Sequence, residues 1–193
     1  MGASLSGSSK WGGGVLGPDG KIYGVPTNAT DILIIDPIAG TATRSAMGAS
    51  LSGSLKWVGG VLGPDGKIYG VPTSATDILI IDPIAGTATR SAMGASLSDS
   101  YKWTGGVLGP DGKIYGVPAS ATDILIIDPI AGTATRSAMG ASLSGSDKWY
   151  GGVLGPDGKI YGVPRNTTDI LIIDLNIGPL AIRNALAPHI NKF

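Results

Sequence analysis

The sequence contains no cysteine and no glutamate, and only one histidine and one phenylalanine. Without cysteine there is no disulfide framework, no thiolate nucleophile and no thiolate metal ligand. With His189 the sole imidazole, a histidine-based triad or a metal site repeated along the chain is excluded. All fourteen acids are aspartate, a residue of turns and strand ends rather than of helices. An excess of either charge is also missing. Fourteen basic and fourteen acidic residues are interspersed, leaving no basic footprint for nucleic acid and no polybasic stretch for a membrane surface. No apolar run approaches the ~20 residues of a membrane helix, and M-G-A-S-L-S-G-S-S-K-W lacks the charged start and apolar run of a signal peptide. The expectation is a soluble β protein, the cytoplasm being favoured. Asn28-Ala29-Thr30 and Asn166-Thr167-Thr168 match the glycosylation acceptor pattern, which matters only in a secreted chain.

What the chain has in abundance is glycine (32) and proline (13), placed periodically as many tight turns require. The period is 46 residues: Trp11, Trp57, Trp103 and Trp149 are copies of one position, as are Tyr23, Tyr69, Tyr115 and Tyr161. Blades are expected at 1–46, 47–92, 93–138 and 139–184, followed by a tail at 185–193. A fixed period of this length signals a repeat architecture.

Within the second copy, M-G-A-S-L-S-G-S-x-K reads as a connecting loop and W-V-G-G-V-L (57–62) as a first strand. Its glycines suit crowded backbones. Gly63-Pro64-Asp65-Gly66 is a turn, because proline presets φ and glycine accepts a positive φ. K-I-Y-G-V (67–71) is a second strand, and I-L-I-I (78–81) a third strand buried on both faces. After the turn Asp82-Pro83-Ile84-Ala85-Gly86, T-A-T-R-S-A (87–92) is polar at alternate positions and reads as an exposed edge. Four short antiparallel strands per repeat make the blade of a β-propeller. I-I-D-P-I-A-G-T resembles the turn of YVTN, NHL and quinoprotein propeller repeats, and G-G-V-L-G-P-D-G-K-I-Y-G-V-P resembles the Kelch pattern. The resemblance spans all four copies and implies a propeller. Departures are the missing diglycine after the tyrosine strand, the missing late tryptophan and Ile84-Ala85 in the turn.

The fourth copy diverges after Asp174, and its tail adds Leu186, Ile190 and Phe193, expected to pack on the outer strand or on a second chain. An open four-blade arc leaves an apolar face at each end. Two arcs joined head to tail bury both, so a homodimeric eight-bladed ring is the expected assembly, with a closed four-bladed monomer as its rival.

Over the first 36 positions of the repeat only six vary. One window holds Gly7, Gly53, Asp99 and Gly145; then Ser9, Leu55, Tyr101 and Asp147; then Gly12, Val58, Thr104 and Tyr150. The second holds Thr27, Thr73, Ala119 and Arg165; Asn28, Ser74, Ser120 and Asn166; and Ala29, Ala75, Ala121 and Thr167. In an antiparallel blade both windows lie at one end, opposite the invariant turns. Variation confined to one rim points to a surface tuned to a protein, peptide or glycan. The candidate binding residues are Ser9, Gly12, Asn28, Leu55, Val58, Ser74, Asp99, Tyr101, Thr104, Ser120, Asp147, Tyr150, Arg165 and Asn166. The neighbouring tryptophans Trp11, Trp57, Trp103 and Trp149 either stack on a ligand or pack between blades with the indole N–H on a carbonyl. Asp19 and Asp36 read as turn residues, whereas Asp31 is kept as a candidate polar contact. No catalytic constellation, metal site or cofactor is apparent, so a non-enzymatic binding or scaffold module is expected. The alternative is a repeat-amplified or engineered symmetric propeller that only self-assembles.

Overall fold

The structure is a computed structural model that describes residues 5–139 and 142–175. The first repeat forms β1 (Trp11–Leu16), β2 (Ile22–Pro26), β3 (Ile32–Asp36) and β4 (Thr41–Ser45). The second forms β5 (Trp57–Leu62), β6 (Ile68–Pro72), β7 (Ile78–Asp82) and β8 (Thr87–Ser91). The third forms β9 (Trp103–Leu108), β10 (Ile114–Pro118), β11 (Ile124–Asp128) and β12 (Thr133–Ser137). β13 (Trp149–Leu154), β14 (Ile160–Pro164) and β15 (Leu171–Ile173) belong to the fourth, whose expected outer strand and tail lie outside the described residues. Each sheet is antiparallel with its strands in chain order. Among the described residues no helix is long and apolar enough to cross a membrane.

The turns form for the reasons their residues supply. Asp65 Oδ1 accepts the Lys67 N–H at 3.2 Å, and its Oδ2 accepts the Tyr69 hydroxyl at 2.8 Å. Burial, together with that bond, pushes the Tyr69 phenol above its ordinary pKa. Asp82 Oδ1 accepts the backbone N–H groups of Ile84 and Ala85, closing the next turn. Both aspartate types therefore serve turns, as expected from their spacing. The outer strands expose their threonines and bury only their alanine, Ala42, Ala88 and Ala134.

The core lies between sheets rather than within one. Val15, Tyr23, Val25, Ile32 and Ile34 of the first sheet pack against Trp57, Leu62, Ile68, Leu79 and Ile81 of the second. The same face-to-face arrangement recurs between the second and third sheets and between the third and fourth. The first strands β1, β5, β9 and β13 touch in that order. Among the described residues no comparable packing joins β1 to β13, so the chain is an open arc and the closed four-bladed ring is not formed.

The openness shows at both ends. Val163 and Ile170 are 52% and 62% exposed, whereas their copies Val71 and Ile78 are at 0%. Val153 and Ile172 are exposed beside them. At the other end Leu16 is exposed and Trp11, Ile22, Leu33 and Ile35 are only partly covered, whereas Trp57, Ile68, Leu79 and Ile81 are buried.

Candidate functional site

Both variable windows do lie at one end of each sheet. Trp57 pairs with Pro72 there, while Leu62 pairs with Ile68 at the opposite end, beside the invariant turn. The organising side chain at this rim is a lysine. Lys56, Lys102 and Lys148 are buried, and each ammonium donates three hydrogen bonds to backbone carbonyls. Lys56 Nζ reaches Thr27 O (3.0 Å) and Ala29 O (2.9 Å) of the preceding blade and Gly53 O (2.8 Å) of its own connector. An ammonium has three donors and no acceptor, so three carbonyls satisfy it fully. Burial pushes these lysines below their ordinary pKa, Lys102 to about 8. The lysine thus staples one blade to the next.

The tryptophan beside it is a packing residue. Trp57 Nε1 donates to Asp77 O at 2.8 Å, and the same bond recurs from Trp11 to Asp31, Trp103 to Asp123 and Trp149 to Asp169. Trp57, Trp103 and Trp149 are buried between blades, which corrects the stacking role considered for them. Trp11, at the open end, is partly covered, with Lys10 and Arg44 over its ring. Asp31 and its copies are likewise committed internally: Arg44, Arg90 and Arg136 each pair with the aspartate that opens the third strand of their blade. Arg90 also reaches Ser50 O, tying the connector down.

Several variable residues turn out to join blades. Thr27 Oγ1 donates to Trp57 O at 2.8 Å, and Thr73 Oγ1 donates to Trp103 O at 2.8 Å. In the third blade Ala119 replaces that threonine, and Thr104, from the other variable window, donates to Trp149 O at 3.0 Å instead. The two changes compensate each other: one hydroxyl is lost and another takes over its carbonyl. Asn28 Oδ1 accepts the Leu55 N–H, Ser74 Oγ accepts the Tyr101 N–H, and Ser120 Oγ accepts the Asp147 N–H. Gly12 and Val58 sit side by side across the first joint. Ser9, Leu55, Tyr101 and Asp147 share a positive φ near 50°, a conformation enriched in Asp and Asn and uncommon for Leu or Tyr.

A smaller set faces solvent. Tyr101 and Tyr150 are about half exposed. Asp99 is exposed and pairs with Arg136 at 3.4 Å. Arg165 lies over the Tyr150 ring, 3.8 Å from an Asp147 carboxylate oxygen. Asn166 is exposed beside them. Among the described residues no group of three or more His, Asp, Glu or Cys side chains is placed to hold a metal ion.

Sequence reading missed the lysine staple. Its signal was present: Lys10, Lys56, Lys102 and Lys148 are invariant although the positions one before and two after them change in every copy.

The blades, their order and their face-to-face joints define an all-β, propeller-like array. No family model matches the chain, and no curated protein matches it. Among solved structures it is similar to virginiamycin B lyase from Staphylococcus aureus, seen in a catalytically inactive form with quinupristin, at 18% identity and TM-score 0.65, covering 91% of this chain and 59% of that one. A streptogramin B lyase matches at 18% identity and TM-score 0.65, covering 90% and 57%. An auxiliary nutrient binding protein from Bacteroides ovatus matches at 18% identity and TM-score 0.62, covering 87% and 39%. The chain therefore spans less than two thirds of each of these proteins, and likeness at such identity speaks to fold alone. The Kelch or YVTN subtype gains no support from a family match. The comparison does correct the expectation of a non-enzymatic chain: lyases are built on this architecture, so the fold itself does not argue against catalysis.

Proposed function

We propose that the chain is a self-assembling half-propeller: two copies join head to tail and close an eight-bladed homodimeric ring. The observation that carries this reading is the pair of end faces. The face left open on the fourth sheet is built of the same residues as the face that the third sheet buries, and the open face of the first sheet repeats the one that the second sheet buries. The joint already occurs three times within the chain, so the two ends are complementary by construction. Covering a side chain such as Ile170 or Val163 contributes about 1 kcal/mol or more. Head-to-tail contacts close into a ring when the rotation allows and otherwise run on as filaments. Size-exclusion chromatography with light scattering is expected to give the mass of two chains. A single-chain mass at tens of micromolar, or an open-ended polymer series, overturns the ring.

The rim of this ring is the surface we assign to a protein, peptide or glycan. Half-exposed Tyr101, with the Asp147–Arg165 pair at the same rim, favours it, since amphipathic aromatics and arginine are enriched where proteins bind partners. A glycan array and a pull-down with the assembled protein should give a hit that Tyr101→Ala removes. A hit unaffected by this change places recognition elsewhere.

A further inference from the structure

We propose that the ring closes through one specific joint, in which Lys10 of one copy completes its carbonyl cradle with Arg165 and Thr167 of the other. This rests on the ring reading above and deepens it, because it names the residues that make the contact directional.

Every internal joint uses the same four elements. The lysine of the following blade enters two carbonyls of the preceding blade, as Lys56 does with Thr27 O and Ala29 O. The N–H of that lysine donates to the first of those carbonyls, Lys56 N to Thr27 O at 3.0 Å. A side-chain oxygen of the preceding blade accepts an N–H one residue before the lysine, Asn28 Oδ1 from Leu55 at 2.7 Å. Finally, a positive-φ glycine in the first strand of each blade lies against its copy in the next, as Gly13 does against Gly59.

At the open ends each element stands half made. Among the described residues Lys10 faces no preceding blade and turns instead to its own segment, donating to Leu5 O and Gly7 O. One repeat before the first, the carbonyls it lacks correspond to Arg165 O and Thr167 O, which no lysine reaches among the described residues. Asn166 restores the asparagine of Asn28, and its side chain accepts no hydrogen bond among the described residues, whereas the matching donor is the N–H of Ser9. A Cβ on Gly151 would meet nothing within 4 Å, although the copies Gly59 and Gly105 are each in contact with the next blade. The variable position beside the glycine fits the same pairing. Tyr150 is the bulkiest residue there and Gly12 the smallest, and only the closing joint sets the one against the other. The cradle of Lys10 is incomplete without the second copy.

Two experiments on the full chain test this. The absence of native cysteine makes a Ser9→Cys, Asn166→Cys chain a clean reporter. Mild oxidation should lock it as a covalent two-chain species, since the two positions lie at opposite ends of one arc. In a dilution series followed by light scattering, Lys10→Met should weaken two-chain assembly by at least tenfold while leaving the β-sheet circular dichroism spectrum unchanged. A wild-type chain of single-chain mass overturns the ring itself. A two-chain particle that neither cross-links through this pair nor loses affinity on Lys10→Met overturns the joint while leaving the ring.

Discussion

Gly59→Ala is expected to cost about 3 kcal/mol or more and to split the array between its second and third blades. Two penalties act together. Gly59 has a φ of +77°, where an L side chain crowds its own backbone at about 1–2 kcal/mol. A Cβ there would also lie 2.8 Å from the Gly105 Cα, which is backbone and cannot rotate aside. Overpacking of that kind costs a further ~1–3 kcal/mol. The register explains why the residue is trapped: the pairing of β5 with β6 skips between Trp57 and Gly60, and this bulge presses Gly59 toward the neighbouring first strand. Gly151→Ala is the internal control. It has a φ of +70° but meets nothing within 4 Å, so in dilute, unassembled protein it should lose only the conformational share, about 1 kcal/mol. Urea unfolding followed by circular dichroism measures both. Equal losses for the two variants defeat the argument from close approach. Because each blade touches only its neighbours, a lesion at the middle joint should also broaden the Gly59→Ala transition or divide it in two.

Much of this fold was legible because its signals are local. Pro-Asp-Gly fixes one turn, Asp-Pro-Ile-Ala-Gly fixes the next, and I-L-I-I between them has only one compact use. The residues at the joints were not legible in the same way. Lys56 beside Trp57 reads as a solvated charge next to an indole, and its burial depends on carbonyls 27 and 29 residues earlier in the chain, on a different sheet. Nothing in a local window announces that. The variable windows illustrate the opposite hazard. Their confinement to one end was plain in the sequence, and it pointed toward an external partner. In the structure the exchange of Thr73 for Ala119 is answered by Thr104 supplying the hydroxyl to the next blade, so part of the variation is one blade adjusting to another. Tyr101 makes no such interblade use of its side chain among the described residues, and the outward-looking reading rests on it.

Replacing Lys102 by methionine, which matches its length and removes its charge, should destabilise the chain by about 2–4 kcal/mol at neutral pH. Two effects oppose each other. Removing a buried ammonium returns its desolvation penalty, and swaps of buried charge for apolar side chains are sometimes neutral for that reason. Here the ammonium is not paired with a single carboxylate that leaves with it. It satisfies Thr73 O, Ala75 O and Asp99 O, and those carbonyls stay behind. Thr73 O keeps the Lys102 N–H at 2.8 Å, and Asp99 lies at the exposed surface where water replaces the bond. Ala75 O is left in a buried residue with its donor gone, and an orphaned buried acceptor costs about 1–3 kcal/mol on top of the lost charge-assisted bonds. The pH dependence separates these contributions. Lys102 is pushed down to about 8 in the fold from an ordinary 10.5, with burial the largest cause. Between those values the unfolded chain binds the extra proton, so wild-type stability rises with pH from about 8 toward 10. The Lys102→Met chain lacks this group, and the stability gap between the two proteins should widen over the same interval. Denaturant midpoints measured at pH 7, 8, 9 and 10 read it directly, and a gap that narrows as pH rises is incompatible with a lysine whose charge is disfavoured by burial.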